Sequence, residues 1–348
     1  MKNMIKKNII QNVCELTIKL CEFDSTTGNE GKLVSFIEQF MMNYDFYVER
    51  QHVGSNGRDN LLIKCNENAK LKILFSTHLD TVPPFFSPKI SNDQKFLLGR
   101  GVCDAKGIVA AMICSLFELK KQNNTQIGLL LLVGEETISD GSQKAINGFA
   151  PNVKYVINGE PTDLCLAKAM KGSLIFNLQT KGKSGHSAYP ESGYSAIHQL
   201  NSDLNTLLNY EWHVDDFFGA TTLNVGKIEG GEAVNVIAEN AKAYCIMRIT
   251  KNADSLYKEI VELVSLSTKV NIVSKHSAIE LYSVENYDSC IVSYSSDIHF
   301  LKILGKPILF GPGNIINAHS ANEHIRINNL EIAVSIYKEL SLQLLFNG

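Results

Sequence analysis

Three short, almost unbroken apolar runs, 71–77, 127–133 and 155–158, constrain this chain more than anything else in it. Runs of about four to eight such residues between turn signals are typical of strands buried on both faces, in sheets covered by helices. Each run is followed closely by side chains that ligate metals. His78 and Asp80 follow the first, Glu135 and Glu136 the second, and Glu160 the third. Asp104 and, far downstream, His319 are of the same chemical kind.

Helical spacing over 9–21, 31–43 and 105–121 alternates with these runs and with a short strand at 60–64. That order implies an α/β fold with a mostly parallel sheet. The segment 82–88 carries three prolines and ends the first run in a rigid loop. From about residue 169 the pattern changes. Residues 173–180, 221–229 and 241–250 alternate apolar and polar, as half-exposed antiparallel strands do. Helices are expected over 195–209 and over 255–266, the second capped by Asp254. With a closing strand near 270–273, the order is that of a ferredoxin-like α+β unit. The expected organisation is a catalytic domain of 1–168 and 276–348, with 169–275 inserted as a lid and dimerisation domain. A final helix is expected over 329–345.

Composition narrows the partners. The formal net charge of −3 provides no basic field for nucleic acid. The N-terminal stretch 1–14 has three lysines, but Asn8, Gln11 and Asn12 interrupt the apolar residues behind them, so it reads as an amphipathic helix rather than a signal peptide. The strongest apolar run, 127–133, is too short to cross a bilayer, and a cytoplasmic protein without membrane contact is expected. The eight cysteines include no Cys-x-x-Cys pair and most lie in apolar runs, as reduced, buried thiols do. Cys103 adjoins Asp104, but no histidine lies near it in sequence to activate it.

His78 and Asp80 are two apart at the end of a strand and point to the same side. Asp80 is placed to orient the histidine. Open α/β sheets bind ligands beyond the carboxyl ends of their strands, where Glu135, Glu136 and Glu160 also fall. Asp104 is expected to open a helix, where the dipole favours an anion. Singly, each has a plainer reading: Asp104 as a helix cap, or the Glu135–Glu136 pair as a helix start or solvated surface. Their coincidence at one sheet edge favours a metal centre. The run Gly99-Arg100-Gly101-Val102-Cys103-Asp104 fails as a dinucleotide fingerprint, with Asp104 at the third glycine position and no buried strand expected just before it. Neither a Walker loop nor a Gly-x-Ser-x-Gly elbow occurs.

The strings Ser-Thr-His78-Leu-Asp80-Thr-Val-Pro, Gly-Arg-Gly-Val-Cys-Asp104-Ala-Lys-Gly, Gly-Glu135-Glu136, Gly-Glu160-Pro-Thr and Ala-His319-Ser-Ala-Asn-Glu323 resemble those of the di-zinc deacylase and carboxypeptidase family. That resemblance covers nearly the whole chain. It implies one zinc on His78, Glu160 and a bridging Asp104, and a second on Glu136, His319 and the same Asp104. Cobalt or manganese would suit the donors too. Asp80 would orient His78, and Glu135 would be the general acid/base. Ser184-Gly185-His186-Ser187-Ala188-Tyr189-Pro190 resembles the family's lid motif, whose histidine stabilises the oxyanion, often across a homodimer. Asn235 and Arg248 resemble residues that bind substrate carbonyl or carboxylate. The family often has an acid two residues before that arginine, where this chain has Ile246. Gly311-Pro312-Gly313 resembles acetylornithine deacetylases, with Gly313 counted toward the substrate. The expected substrate is therefore a small N-acyl amino acid, first of all N-acetylornithine, in arginine biosynthesis. A dipeptide or carboxypeptidase substrate is the alternative. A non-catalytic metal or small-molecule binder on the same scaffold, or a two-metal phosphoesterase, stands further off.

Overall fold

Residues 12–346 are described by a computed structural model; most of the expected N-terminal helix over 1–14 lies outside them. Two compact units divide the chain. The first takes in the described residues up to Lys168, Leu281–Cys290 and those from Ser296 onward, and the second is Ala169–Glu280 with Ile291–Ser295.

The first unit opens with helices α1 (Val13–Cys21) and α2 (Gly31–Met42), then strands β1 (Tyr47–Gly54), β2 (Arg58–Lys64) and β3 (Ile73–His78). Asn12 caps α1, accepting the amides of Cys14 and Glu15. Helix α3 (Lys106–Lys121) leads to β4 (Ile127–Leu132), and β5 (Tyr155–Asn158) comes after it. Every residue of β3, β4 and β5 is buried, as their apolar runs require.

The second unit is built from β6 (Gly172–Lys181), α4 (Ala196–Asn209), β7 (Thr222–Gly230), β8 (Asn240–Ile249), α5 (Ala253–Leu263) and β9 (Thr268–His276). Its sheet runs β7-β8-β6-β9, antiparallel throughout, which is the ferredoxin-like arrangement. Leu174, Phe176 and Leu178 alternate inward on β6 and pack in one core with Leu200 and Leu207 of α4 and Leu256 of α5. Helix α5 starts two residues earlier than its spacing suggests. Asn252, not Asp254, is the cap, and it accepts the amides of Asp254 and Ser255.

The chain returns to the first unit with β10 (Lys306–Leu309) and the long helix α6 (Ile327–Phe346). The first sheet is mixed: it includes the order β1-β2-β4-β3-β5-β10, parallel across β4, β3, β5 and β10 and antiparallel at β1 and β2, and beyond β10 Leu309 pairs antiparallel with Ala167. After β3 the chain crosses to β4 on one side and returns to β5 on the other. The carboxyl ends of these three strands therefore frame a topological switch point, where α/β sheets open a ligand crevice. Among the described residues no helix is long and apolar enough to cross a membrane.

Phe176 is 1% exposed at the centre of the second unit's core. Phe176→Ala is expected to destabilise that unit by about 3–5 kcal/mol, through lost burial and the cavity left behind. Hydrogen exchange at the β6 and β8 amides measures the loss while those of β3 and β4 serve as the internal control.

Candidate metal centre

His78 ends β3, Glu160 follows β5 by two residues, and Asp104 lies on the loop leading into α3. The three converge with ligand atoms within 4.8 Å of one another. His78 Nε2 lies 3.0 Å from Asp104 Oδ1 and 4.0 Å from Glu160 Oε2. In a second set, Asp104, Glu136 and His319, the ligand atoms likewise lie within 4.8 Å of one another. There His319 Nε2 is 3.0 Å from Glu136 Oε1 and 3.5 Å from Asp104 Oδ2. Asp104 belongs to both sets and presents a different oxygen to each histidine.

The donors fit a divalent cation. Glu160 Oε1 is buried and has no hydrogen-bond partner among the described residues, an expensive state for a carboxylate oxygen unless a cation meets it. Burial, then the charge of neighbouring Glu160, holds the Glu135 carboxyl well above its usual range. Burial likewise raises Glu136 and Glu160, with Asp104 among the charges that add to it. At His78 burial favours the neutral ring, but the Asp104 hydrogen bond and surrounding carboxylates outweigh it and raise the pKa. His319 is raised first by its bond to Glu136. Acids crowded together in this way, with imidazoles between them, suit a divalent cation held by oxygen and nitrogen donors.

The loops that carry these groups are fixed by two buried acids. Asp80 Oδ1 accepts the Glu135 amide at 3.0 Å, and Oδ2 accepts the Glu136 amide at 3.1 Å and the Thr27 hydroxyl at 2.8 Å. Spacing in the sequence suggests that the Asp80 carboxylate orients His78. His78 Nδ1 meets the Asp80 backbone carbonyl at 2.9 Å and lies 3.6 Å from the Asp80 carboxylate, whose pKa, against the effect of burial, the imidazole lowers. The Asp80 side chain holds the Glu135–Glu136 turn. Glu323 does the same for the Asp104 loop. Its Oε1 accepts the amides of Gly101, Cys103 and Asp104 at 2.9, 3.0 and 3.2 Å, and its Oε2 takes Arg100 Nη1 at 2.6 Å. Sequence reasoning assigns Glu323 no role. Its partners lie some 220 residues away in sequence, so no local pattern signals them.

Other expectations need adjusting. Asp104 does not open the helix: α3 begins at Lys106 with Ala105 in the cap position. A short strand, Phe96–Leu98, does precede the glycine run, with Leu97 buried. The Glu135–Glu136 pair starts no helix either; it lies in the turn before the short helix Asp140–Ala145. Cys103 is fully buried, and burial pushes its thiol pKa well up, against a nucleophilic role. Gly313 has φ +86°, and a Cβ there would lie 2.6 Å from Cys103 Sγ, which is a packing reason for glycine. In the second unit His186 is exposed and its Nδ1 accepts the Ala188 amide at 3.1 Å, so a neutral ring carries its proton on Nε2. Asn235 is exposed and its carbonyl accepts the Ser187 amide at 3.1 Å. Arg248, on β8, is half-buried.

A parallel-centred α/β sheet thus presents, at its switch point, two candidate ligand sets that share one aspartate, the arrangement of a metal-dependent protein. The model of peptidase family M20/M25/M40 matches residues 74–343, and the chain belongs to that family. A Peptidase M20 domain-containing protein of Schizosaccharomyces pombe is 32% identical over 94% of this chain and 84% of its own length. A probable carboxypeptidase of Talaromyces marneffei is 33% identical over 92% and 83%. Among solved structures, a tripeptidase from Staphylococcus aureus has the same fold, with TM-score 0.81, 20% identity and coverage of 95% and 97%. An M20 family metallo-carboxypeptidase from Sulfolobus solfataricus has TM-score 0.73, 15% identity and coverage of 93% and 97%. The protein is an M20 metallopeptidase.

Two measurements probe the supporting acids. Glu323→Ala strips three amides of their acceptor, and metal affinity is expected to fall about 10–100-fold, as for other partners that orient ligands; isothermal titration of the metal-free protein reads this. Asp297 is fully buried, accepts the Ser142 hydroxyl at 2.6 Å, and is raised to about 6 chiefly by burial. Its folded pKa thus exceeds the unfolded value of about 3.9. The stability it contributes is therefore full below about pH 4 and is lost as pH rises through about 6. Asp297→Asn should flatten that fall in urea midpoints of the metal-free protein.

Proposed function

We propose that this M20 hydrolase removes the C-terminal residue from short peptides that have a free carboxylate. The observation that carries the reading is the placement of Glu135: its amide is pinned by Asp80, and its acid lies among the ligand carboxylates. A ligand set alone would bind metal without needing this extra acid.

Ions held by His78, Asp104 and Glu160, and by Asp104, Glu136 and His319, would supply Lewis acidity toward the substrate carbonyl and ease the ionisation of water. Zinc suits the mixture of imidazole and carboxylate. Glu135 takes the proton of the attacking water on its carboxylate and returns it to the departing amine nitrogen. A positioned carboxylate is sufficient for both transfers. His186 enters as the oxyanion donor on the resemblance, and its Nε2–H is the chemically suitable atom. Arg248 is half-buried, and burial alone shifts its pKa, downward, with no acid paired to it among the described residues. A guanidinium kept free in this way suits a substrate carboxylate. Asn235 would bind the substrate carbonyl, again by resemblance.

The probable carboxypeptidases among the chain's relatives favour the carboxypeptidase reading over the acetylornithine one. Deacetylation of N-acetylornithine stays as the second reading, supported by Gly311-Pro312-Gly313, although Gly313 has its own packing role. A homodimer and a cytoplasmic setting belong to the proposal on the resemblance and the cysteine pattern.

The test is a hydrolysis panel with zinc- or cobalt-loaded protein. It contains di- and tripeptides, their C-terminal amides, and N-acetyl amino acids including N-acetylornithine. Release of the C-terminal residue from free peptides but not from their amides is expected. Turnover confined to N-acetylornithine would replace the proposal with the second reading. In the same panel Glu135→Gln should keep its metal and lose about 10²–10⁴ in kcat; unchanged kcat would remove Glu135 from the mechanism.

A further inference from the structure

Arg58, at the start of β2, reaches two acids from different parts of the first unit. Its Nη1 and Nη2 form a bidentate pair with Asp140, both at 3.0 Å, and its Nε lies 3.1 and 3.2 Å from the two oxygens of Glu30. Glu30 is fully buried. Its Oε2 also accepts the Gly28 amide at 2.8 Å, which fixes the loop carrying Thr27. Thr27 donates to Asp80, and Asp80 accepts the amides of Glu135 and Glu136. On the other arm, Asp140 follows the turn that the Ser139 amide closes on the Gly134 carbonyl at 2.8 Å.

The contacts therefore form a closed ring: Arg58, Glu30, the Thr27 loop, Asp80, the Glu135–Glu136 turn, Asp140 and back to Arg58. Gly134, just before Glu135, supplies independent evidence of how closely the ring is fitted. A Cβ there would lie 1.9 Å from Asp140 Oδ1 and 2.6 Å from Arg58 Nη2, and its φ of +79° is one glycine adopts freely. The guanidinium pair thus packs directly against the backbone that carries the proposed acid/base.

We infer that Arg58 is a positioning residue for Glu135, holding the loops on both sides of the turn that presents it. This rests on the reading of Glu135 as the proton shuttle. Guanidinium geometry is essential to the role. A planar fork can engage Asp140 with two nitrogens while a third meets Glu30, whereas an ammonium is a point charge that cannot span both acids in that geometry. A simple ion pair would affect stability alone. A ring that sets the direction of Glu135 affects turnover at full metal occupancy.

The experiment compares Arg58→Lys, Asp140→Asn and the double variant at saturating metal, on whichever substrate the wild type turns over best. Expected is a loss of about 10–100-fold in kcat for Arg58→Lys, the range for partners that orient functional groups, with KM changing much less. Asp140→Asn, which keeps the side-chain shape, should lose kcat in the same way and provides the reading if Arg58→Lys does not fold. The double variant should lose no more than the worse single variant, because both cut one ring. Wild-type kcat in the folded single variants, with only a lower melting temperature, would overturn the inference. Multiplying losses in the double variant would also overturn it. Glu135→Gln, measured alongside, separates the two levels. Should it be inactive while Arg58→Lys is normal, only the positioning role falls; should it retain full kcat, both fall.

Discussion

Holding Asp104, Glu135, Glu136 and Glu160 within one small buried region of the first unit is the electrostatic problem to which the surrounding structure is fitted. Two unit charges about 4 Å apart repel by about 4 kcal/mol at an effective dielectric of 20. The imidazoles of His78 and His319 answer that repulsion from within, as bound cations would. The support from outside is less obvious, because it comes from further acids. Asp80 and Glu323 add negative charge, yet each spends its oxygens on backbone amides of the ligand loops. An anion accepting two or three amides is well satisfied and fixes a loop more firmly than a neutral acceptor would. Buried and half-buried cations balance these anions. Arg100 pairs with Glu323, Arg58 with Glu30 and Asp140, and fully buried Lys106 donates to the Phe23 carbonyl at 2.9 Å.

Sheet topology explains why the ligands can be drawn from such distant parts of the chain. The crossover from β3 to β4 and the return to β5 leave three strand ends side by side, so residues 78, 136 and 160 become neighbours without any long loop. The same principle explains what could be read from sequence. A strand buried on both faces announces itself as an apolar run, and a functional side chain at its end follows the run directly. His78, Glu136 and Glu160 were legible for that reason. The ferredoxin-like order of the second unit was legible through the change of period from continuous to alternating.

The supporting roles were not legible, and the reason is again physical. Glu323 acts through amides of Gly101, Cys103 and Asp104, and any acid can accept an amide, so residue type is silent about which it accepts. Spacing finds only part of what Asp80 does: its carboxylate faces His78 Nδ1 at 3.6 Å, and it also accepts Thr27 and the Glu135–Glu136 turn, which no local pattern signals. The cap of α5 falls on Asn252 rather than Asp254 because both residue types suit the position and only backbone geometry chooses between them. Substrate preference was the least legible part, since it lies in a few pocket side chains that neither periodicity nor spacing marks.

The two ligand sets are also built to different standards of rigidity. His78, Asp104 and Glu160 are all buried, and two of them sit at or just beyond strand ends whose backbone the sheet fixes. Glu136 and His319 ride on turns, and His319 is half-exposed with a left-handed backbone at φ 58°. Sites carried on strands hold their geometry more closely than sites carried on loops. The first set therefore gets its precision from the sheet, and the second must get it from side chains. That is where Asp80 and the Arg58 ring converge, on the turn of Glu135 and Glu136, while Glu323, four residues beyond His319, secures the aspartate the two sets share. The buried polar scaffold is concentrated where the sheet cannot reach.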